Sequence, residues 1–317
     1  MDAKASFKAF LEKAWGYFRR DEARQPDQRK SVSLMLRDLF LTAATPSANK
    51  DPLQGGALYA SMADFLERAT AMNGTPLTMK LQGHAGWNIA SQAQQLVDYY
   101  RRIAVTPAAP QNDWQALAQE RLPRDYIHAY PANPAAGSDW RIALNVMPGD
   151  IPKAMTLCRP LLYQSSAIDH LKFLPPGKTA KCDTVLCFLK KDDSYDALRG
   201  QFMTIANQLA LQPCVGAMWQ EDPDKPGFGE ASEPPQDLGV YMAFTEYRCL
   251  VVYLAYKTWR GERYSQFLDH LAQVMALFGL DANAPQLQGP LSPALQGENS
   301  GYLDAYLAYK QAWKENR

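Results

Sequence analysis

Four cations of this chain sit in apolar company: Arg141 in "WRIALNVM", Lys172 in "IDHLKFL", Lys190 closing "DTVLCFLK" and Arg248 in "AFTEYRCLVVYLAY". Side chains alternate along a strand, so one face of such a segment meets a core while the other can line a cleft. A cation there either reaches back to water along its own stem or meets an anion. Gathered by one sheet and one helix start, the four would suit a phosphate group. Arginine offers a planar pair of donors, lysine a point charge, and a helix N-terminus adds N–H groups and partial positive charge. A lysine that loses its charge through burial or cationic neighbours also removes protons. The set therefore suits two tasks: holding a phosphorylated peptide, or taking the Cα proton of phosphoserine or phosphothreonine so that phosphate departs. Tyr247 and Tyr241 stand near Arg248 as proton donors.

The elements that must position these residues follow from periodicity. Residues 140–147, 168–174, 183–190 and 214–219 read as strands, and 76–83 as a short one. Helical spacing marks 58–72, 87–104, 151–164, 194–211, 242–259, 262–278 and 302–313. Asp150 and Ser194 stand where N-caps belong, and Pro160 should end or kink its helix. Phe7, Phe10, Leu11, Ala14, Trp15 and Phe18 recur at helical spacing, so the first twenty residues form an amphipathic helix packed on the protein. "AYPANPAAGSD" reads as a linker, and residues 281–301 as a surface loop. The expected architecture is α+β, with a helical lobe over 1–130 and a helix-packed mixed sheet over 138–317.

Composition narrows the function classes. In 317 residues, hydrophobic types make up 47% and charged types 21%, enough for a sizeable core. The net charge of zero gives no global pull toward nucleic acid or an anionic membrane, so anion recognition must be local. Five scattered cysteines without a CxxC pair argue for a reducing compartment and buried structural thiols. Cys249, beside Arg248, is the one with a cation close enough in sequence to favour a thiolate. No nucleotide-binding, zincin or hydrolase-elbow motif is present, and His84, His128, His170 and His270 lie far apart. Each histidine alone reads as a satisfied core or surface residue, and neither metal nor cofactor is expected. No signal peptide and no membrane-spanning run of apolar residues is visible.

"KPGFGEASEPP" followed by "AFTEYRCLVVYLAY" resembles the signature of the HopA-type family of type III secretion effectors: a Pro-Gly-x-Gly-x-x-x-Glu-Pro-Pro run, a gap, then an Arg-Cys segment opening a helix. "RIALNVMPGDIPKAM" and "IDHLKFL…KCDTVLCFLKK" resemble its strand–Pro–helix entry and its next two strands, so the likeness spans about residues 138–258. The resemblance implies a fold similar to that of phosphothreonine lyase effectors, which also serves as the elimination partner of a kinase in making dehydrated peptides. It implies Arg248 as a phosphate-facing arginine, Lys172 as the strand lysine, and Lys190 as the lysine ending the next strand. Two departures stand out. The Lys-x-His pair of the phosphothreonine lyases falls on Arg141 and Ala143, and the family's Ser, Gly and His fall on Ala243, Thr245 and Tyr247. Arginine stays charged and is a poor base, so Lys172 would have to be the base and Tyr247 the acid.

Two readings follow. In one, the protein is a carbon–oxygen lyase: Lys172 takes the Cα proton while Arg141, Lys190 and Arg248 hold the phosphate of a phosphorylated protein or peptide. In the other, it is an effector that binds a host protein or a secretion chaperone without turnover. Either places it in the bacterial cytoplasm or, after secretion, in a host cell. A third, plainer reading leaves the cations solvated on an α+β domain.

Overall fold

The computed structural model describes residues 3–39, 53, 55–72, 77–81, 89–105, 126–177, 181–213, 215–216, 218–236 and 242–315. In chain order the helices are α1 (Ala3–Glu22), α2 (Val32–Asp38), α3 (Gly55–Met72), α4 (Ile89–Val105), α5 (Ile151–Cys158), α6 (Leu161–Gln164), α7 (Tyr195–Ala206), α8 (Phe244–Thr258), α9 (Tyr264–Leu277) and α10 (Ser300–Glu315). The strands are β1 (Thr78–Leu81), β2 (Ile127–Tyr130), β3 (Trp140–Leu144), β4 (Ile168–Phe173), β5 (Val185–Leu189), β6 (Gln220–Glu221), β7 (Phe228–Ser232), β8 (Leu280–Asp281) and β9 (Ala284–Gln288). The fold is α+β, as expected.

The chain forms two compact units: Ser47–Val215 with Asp222–Glu230, and Met1–Pro46 with Gly216–Glu221 and Ala231–Arg317. The division expected near 125–138 thus falls inside the first unit. The reason lies in β1, which precedes it, and β2, which lies within it: both pair into the same sheet as the strands that follow. The first helix does not belong to a lobe of residues 1–130 either. Its apolar stripe packs on helices from the far end of the sequence, with Trp15 against Phe267 at 5.0 Å and Phe18 stacked on Tyr256 at 4.2 Å.

In the first unit the sheet runs β1-β2-β4-β5-β3-β7. The pairs β1/β2, β2/β4, β4/β5 and β5/β3 are antiparallel. One face of the sheet shares a core with α3, α4, α5 and α7. Ile127, Ala129, Ile142, Leu144, Leu171, Phe173, Val185 and Cys187 belong to it, with Phe65, Leu66, Tyr100, Met155 and Phe202 from the helices. Between Ile168 and His170 the register with β5 shifts, so that Ile168 opposes Leu189 and His170 opposes Phe188. Asp169 is the extra residue. A bulge of this kind re-aims side chains: Ile168, Leu171 and Phe173 enter the core, and His170 and Lys172 fall on the opposite face.

Gly227, in the Pro-Gly-x-Gly run, has φ +88°, and a Cβ there would lie 2.5 Å from the Gln212 carbonyl oxygen. Only glycine permits both that backbone conformation and that approach. The approach lets the Gly227 carbonyl accept the Asn145 N–H at 2.8 Å, just beyond β3.

Several local expectations are corrected. Among described residues, 214–219 holds no strand, because Gly216 and Met218 take positive φ (119° and 68°). The run at 281–301 is not a bare loop: it contains β9 and a 3₁₀ turn at Pro293–Gln296. The Asp150 carboxylate accepts the Ala210 N–H at 2.7 Å instead of capping α5. The Ser194 hydroxyl donates to Asp192 at 2.6 Å instead of capping α7. Pro160 does separate α5 from α6.

In the second unit α8 is buried around most of its circumference, from Phe244 to Tyr256. A helix apolar all round belongs at the centre of its fold, and α1, α2, α9 and α10 surround it. The apolar run that carries Glu246, Tyr247 and Arg248 is therefore an interior helix, with consequences for all three.

Candidate functional site

The face of the sheet turned away from the helical core carries Arg141 and Ala143 on β3, His128 and Tyr130 on β2, His170 and Lys172 on β4, and Leu186 and Phe188 on β5. Alternation puts them there, and register sets them in rows: His128 opposes Lys172, His170 opposes Phe188, and Phe188 opposes Arg141. Tyr126 continues the β2 series.

Phe188 is the hub. The Lys172 Nζ lies 4.5 Å from its ring centroid and the Arg141 Cζ 4.8 Å. The His170 ring stacks on it at 4.3 Å with planes 5° apart. His128 stacks on His170 at 5.2 Å with planes 6° apart, and Tyr130 lies 5.1 Å from the same ring. A row of flat groups thus crosses four strands, ending in a guanidinium. A cation over an aromatic face is attracted electrostatically by the ring. Arg141 is buried, while Lys172, His170, His128 and Tyr130 are half-buried.

Acids border this face. The Asp169 Oδ2 lies 2.6 Å from the His170 Nδ1. The Tyr126 hydroxyl donates to the Asp183 carbonyl at 2.8 Å and to its carboxylate at 3.0 Å. Burial pushes the Tyr126 phenol well above its ordinary range, Asp183 adds to this, and the Arg141 charge opposes it. The Tyr130 phenol is also raised, first by burial and then by Asp169. Its hydroxyl lies 3.3 Å from the His128 Nδ1.

Of the expected site residues, the sheet brings Arg141 and Lys172 together on one ring. Lys190 follows Phe188 by two residues on the same strand edge, where its Nζ meets Asp139 at 3.7 Å in an exposed pair. Arg248 and Tyr247 lie in the other unit, with other partners. The Arg248 Nε donates to the Pro285 carbonyl at 2.8 Å, and its NH groups reach the carbonyls of Gln286, Ser232 and Phe244 at 3.3, 3.4 and 3.5 Å. Its guanidinium also covers the Phe244 ring at 3.8 Å. These donors are engaged with backbone carbonyls in an interior, where they tie α8 to β9, and not with the ring that holds Arg141 and Lys172. The Tyr247 hydroxyl donates to the Phe278 carbonyl at 2.6 Å and the side chain is buried, apart from the sheet face that carries Lys172. Glu246 accepts the Ala243 N–H at 3.3 Å and closes the start of α8. Burial pushes the Cys249 thiol up, Glu246 adds to this, and the Arg248 charge opposes it.

The residues missed from sequence are His128, His170, Tyr126, Tyr130, Phe188 and Asp169. His170 was legible: it stands two positions before Lys172 within a strand, so the two share a face once alternation is applied. His128 and Tyr130 lay beside a Pro-rich stretch that hid β2. Tyr241, His84 and Cys214 fall outside the described residues. Among the described residues no group of His, Cys, Asp and Glu is arranged to hold a metal ion, and no helix is long and apolar enough to cross a membrane.

No protein-family model and no curated protein matches the chain. Solved structures do. An effector protein from Pseudomonas syringae pv. tomato strain DC3000 is similar over 91% of this chain and 99% of its own, with TM-score 0.60 at 16% identity. An effector protein from Pseudomonas syringae pv. syringae strain 61 is similar over 91% and 98%, with TM-score 0.62 at 15% identity. The likeness is one of fold.

Proposed function

We propose that this protein is an effector of the HopA type whose β2–β4–β5–β3 face binds the phosphate of a phosphoserine or phosphothreonine peptide and eliminates it. The observation that carries the reading is the placement of Arg141 and Lys172 on one phenylalanine ring, with two histidines alongside. Arg141 offers the guanidinium fork that phosphate prefers. Lys190, at the strand end, adds charge at the rim. Lys172, in its neutral form, takes the Cα proton. The C–H electron pair becomes the Cα=Cβ bond, the Cβ–O bond breaks, and its electron pair leaves with the phosphate. The products are a dehydrated peptide and inorganic phosphate. Action inside a host cell after secretion is part of this reading, supported by the fold shared with the two effectors.

A second reading has an observation of its own. Arg141 and Ala143 occupy the positions of the Lys-x-His pair in the lyases that the sequence resembles, which favours a protein that binds a phosphorylated host partner without turnover.

The test is mass spectrometry of synthetic phosphothreonine and phosphoserine peptides incubated with the pure protein and with Lys172→Ala. Loss of phosphoric acid is expected with the wild type, and a decrease of about 10²–10⁴-fold in rate for the variant. Unchanged peptide masses, with binding that Arg141→Met weakens, would select the second reading. Absence of both turnover and binding would overturn the two together.

A further inference from the structure

A cavity of about 270 Å³ lies between the segment that follows β2 and the end of α6. Its lining pairs the buried, apolar Pro131 and Leu162 with the exposed Asn133, Tyr163 and Gln164 and the partly exposed Ser165. No carboxylate, ammonium, guanidinium or imidazole lines it. We propose that this cavity is a subsite for an uncharged stretch of the phosphorylated peptide, away from the phosphorylated residue itself. The inference rests on the phosphopeptide reading above, with or without turnover.

The chemistry of the lining selects the occupant. Asn133 and Gln164 each offer a donor and an acceptor, the pair of functions that a peptide group presents in return. The Ser165 hydroxyl accepts the Ala167 N–H at 3.2 Å, which leaves its own O–H to donate. Tyr163 is 49% exposed, and the Arg159 Cζ lies 5.9 Å from its ring centroid, so the ring is braced by a neighbour and still open to a ligand. An aromatic ring beside apolar Pro131 and Leu162 suits a small uncharged side chain. A charged one would lose water there and find no counter-charge.

Placement ties the cavity to the sheet face. Tyr130, whose ring lies 5.1 Å from His170 in the stacked row, is followed directly by Pro131 of the cavity. From β3, which carries Arg141, to β2, which carries Tyr130, the row crosses three strand spacings of about 4.8 Å, roughly 14 Å in all. The cavity begins one residue further. An extended peptide covers about 3.3 Å per residue, so a residue about four to six positions from the one whose phosphate meets Arg141 reaches it. A free sugar would find similar hydrogen-bonding groups, but the continuity with the row favours a peptide that spans both.

The experiment is calorimetric titration of the whole protein with two non-hydrolysable phosphonate peptides that share one centre. One has flanks of about two residues on each side; the other has flanks of about seven, long enough to span the distance. The longer peptide should bind the wild type about tenfold more tightly. Tyr163→Ala should abolish that gain and leave the Kd of the shorter peptide within about twofold of its wild-type value, since the two sites are far apart. Asn133→Asp places a charge in the neutral cavity. It should prefer long peptides with lysine about four to six positions from the phosphonate over those with alanine there, by about threefold, and the preference should fade in high salt.

Equal affinity of the wild type for the two peptides would overturn the subsite and leave the phosphate reading standing. A Tyr163→Ala that weakens both peptides alike overturns it too. Should Tyr163→Ala fail to fold, a folded Asn133→Asp without the new preference decides against it equally. Glucose alone should give no binding heat; binding of glucose that Tyr163→Ala removes, without any gain from peptide flanks, would give the cavity to a sugar instead. A wild type that binds neither peptide removes the phosphopeptide reading and this inference with it.

Discussion

Arg141 and Arg248 are nearly sealed from solvent, at 5% and 1% exposure, and each guanidinium lies on a phenylalanine, Phe188 and Phe244 respectively. Their surroundings differ in kind. Arg248 is ringed by backbone carbonyls of β9 and its neighbours, which consume its donors and stitch an interior helix to a hairpin. Arg141 shares its ring with Lys172 and a stacked imidazole, so positive charge is concentrated on one face. Concentrating like charges costs stability, and such arrangements are kept where an anion is to be met. Burial of an arginine thus says little about its job; the identity of its acceptors says more.

The contrast can be broken most forcefully at Arg248. Arg248→Met should lower the unfolding free energy of its unit by about 3–5 kcal/mol, because several buried carbonyls lose a charged donor. Urea denaturation reads this out. A stable variant that no longer bound phosphopeptide would return Arg248 to the anion set. Arg141→Met should act the other way round. The Kd for a phosphothreonine peptide should rise by roughly 10–150-fold, about 1.5–3 kcal/mol, while stability changes by under about 1 kcal/mol. Calorimetric titration with a non-hydrolysable phosphonate peptide separates this from turnover. The smallest effect belongs to Lys190, whose pair with Asp139 is solvent-exposed. Lys190→Ala should change affinity by less than about 1 kcal/mol, and the difference should vanish in high salt, as screened surface charges do. A larger, salt-insensitive loss would move Lys190 from the rim to the centre of the site.

Much of the architecture was legible because periodicity is a local property. The strands at 140–144, 168–173 and 185–189 and most of the long helices fall where apolar spacing puts them. What escaped depended on partners distant in sequence. β2 is four residues beside a Pro-rich run, and it exists because β1 and β4 flank it. β7 contains a glycine and a glutamate, a poor strand by propensity, yet the residue just before it, Gly227, ties it to the end of β3. For the site, Arg141 and Lys172 were found from cations in apolar strands. His170 was passed over because histidines were weighed one at a time and not by the face they share. The cluster at 246–248 misled because a buried cation in an interior helix and one at an anion site look the same in sequence; only the carbonyls of 285 and 286, nearly forty positions away, distinguish them.

The pairing of α1 with α8 and α9 sets a timetable for biosynthesis. Trp15 packs against Tyr256 and Phe267, so at about 5–20 residues per second the first helix waits roughly 10–50 s after its own synthesis before those neighbours leave the ribosome. Through that interval Phe7, Phe10, Leu11 and Phe18 present an uncovered greasy stripe. The sheet-bearing segment, complete soon after residue 230, is free to close first. A nascent-chain-binding factor would therefore find its docking stretch at residues 7–18, and a protein held unfinished before residue 256 would be prone to clump.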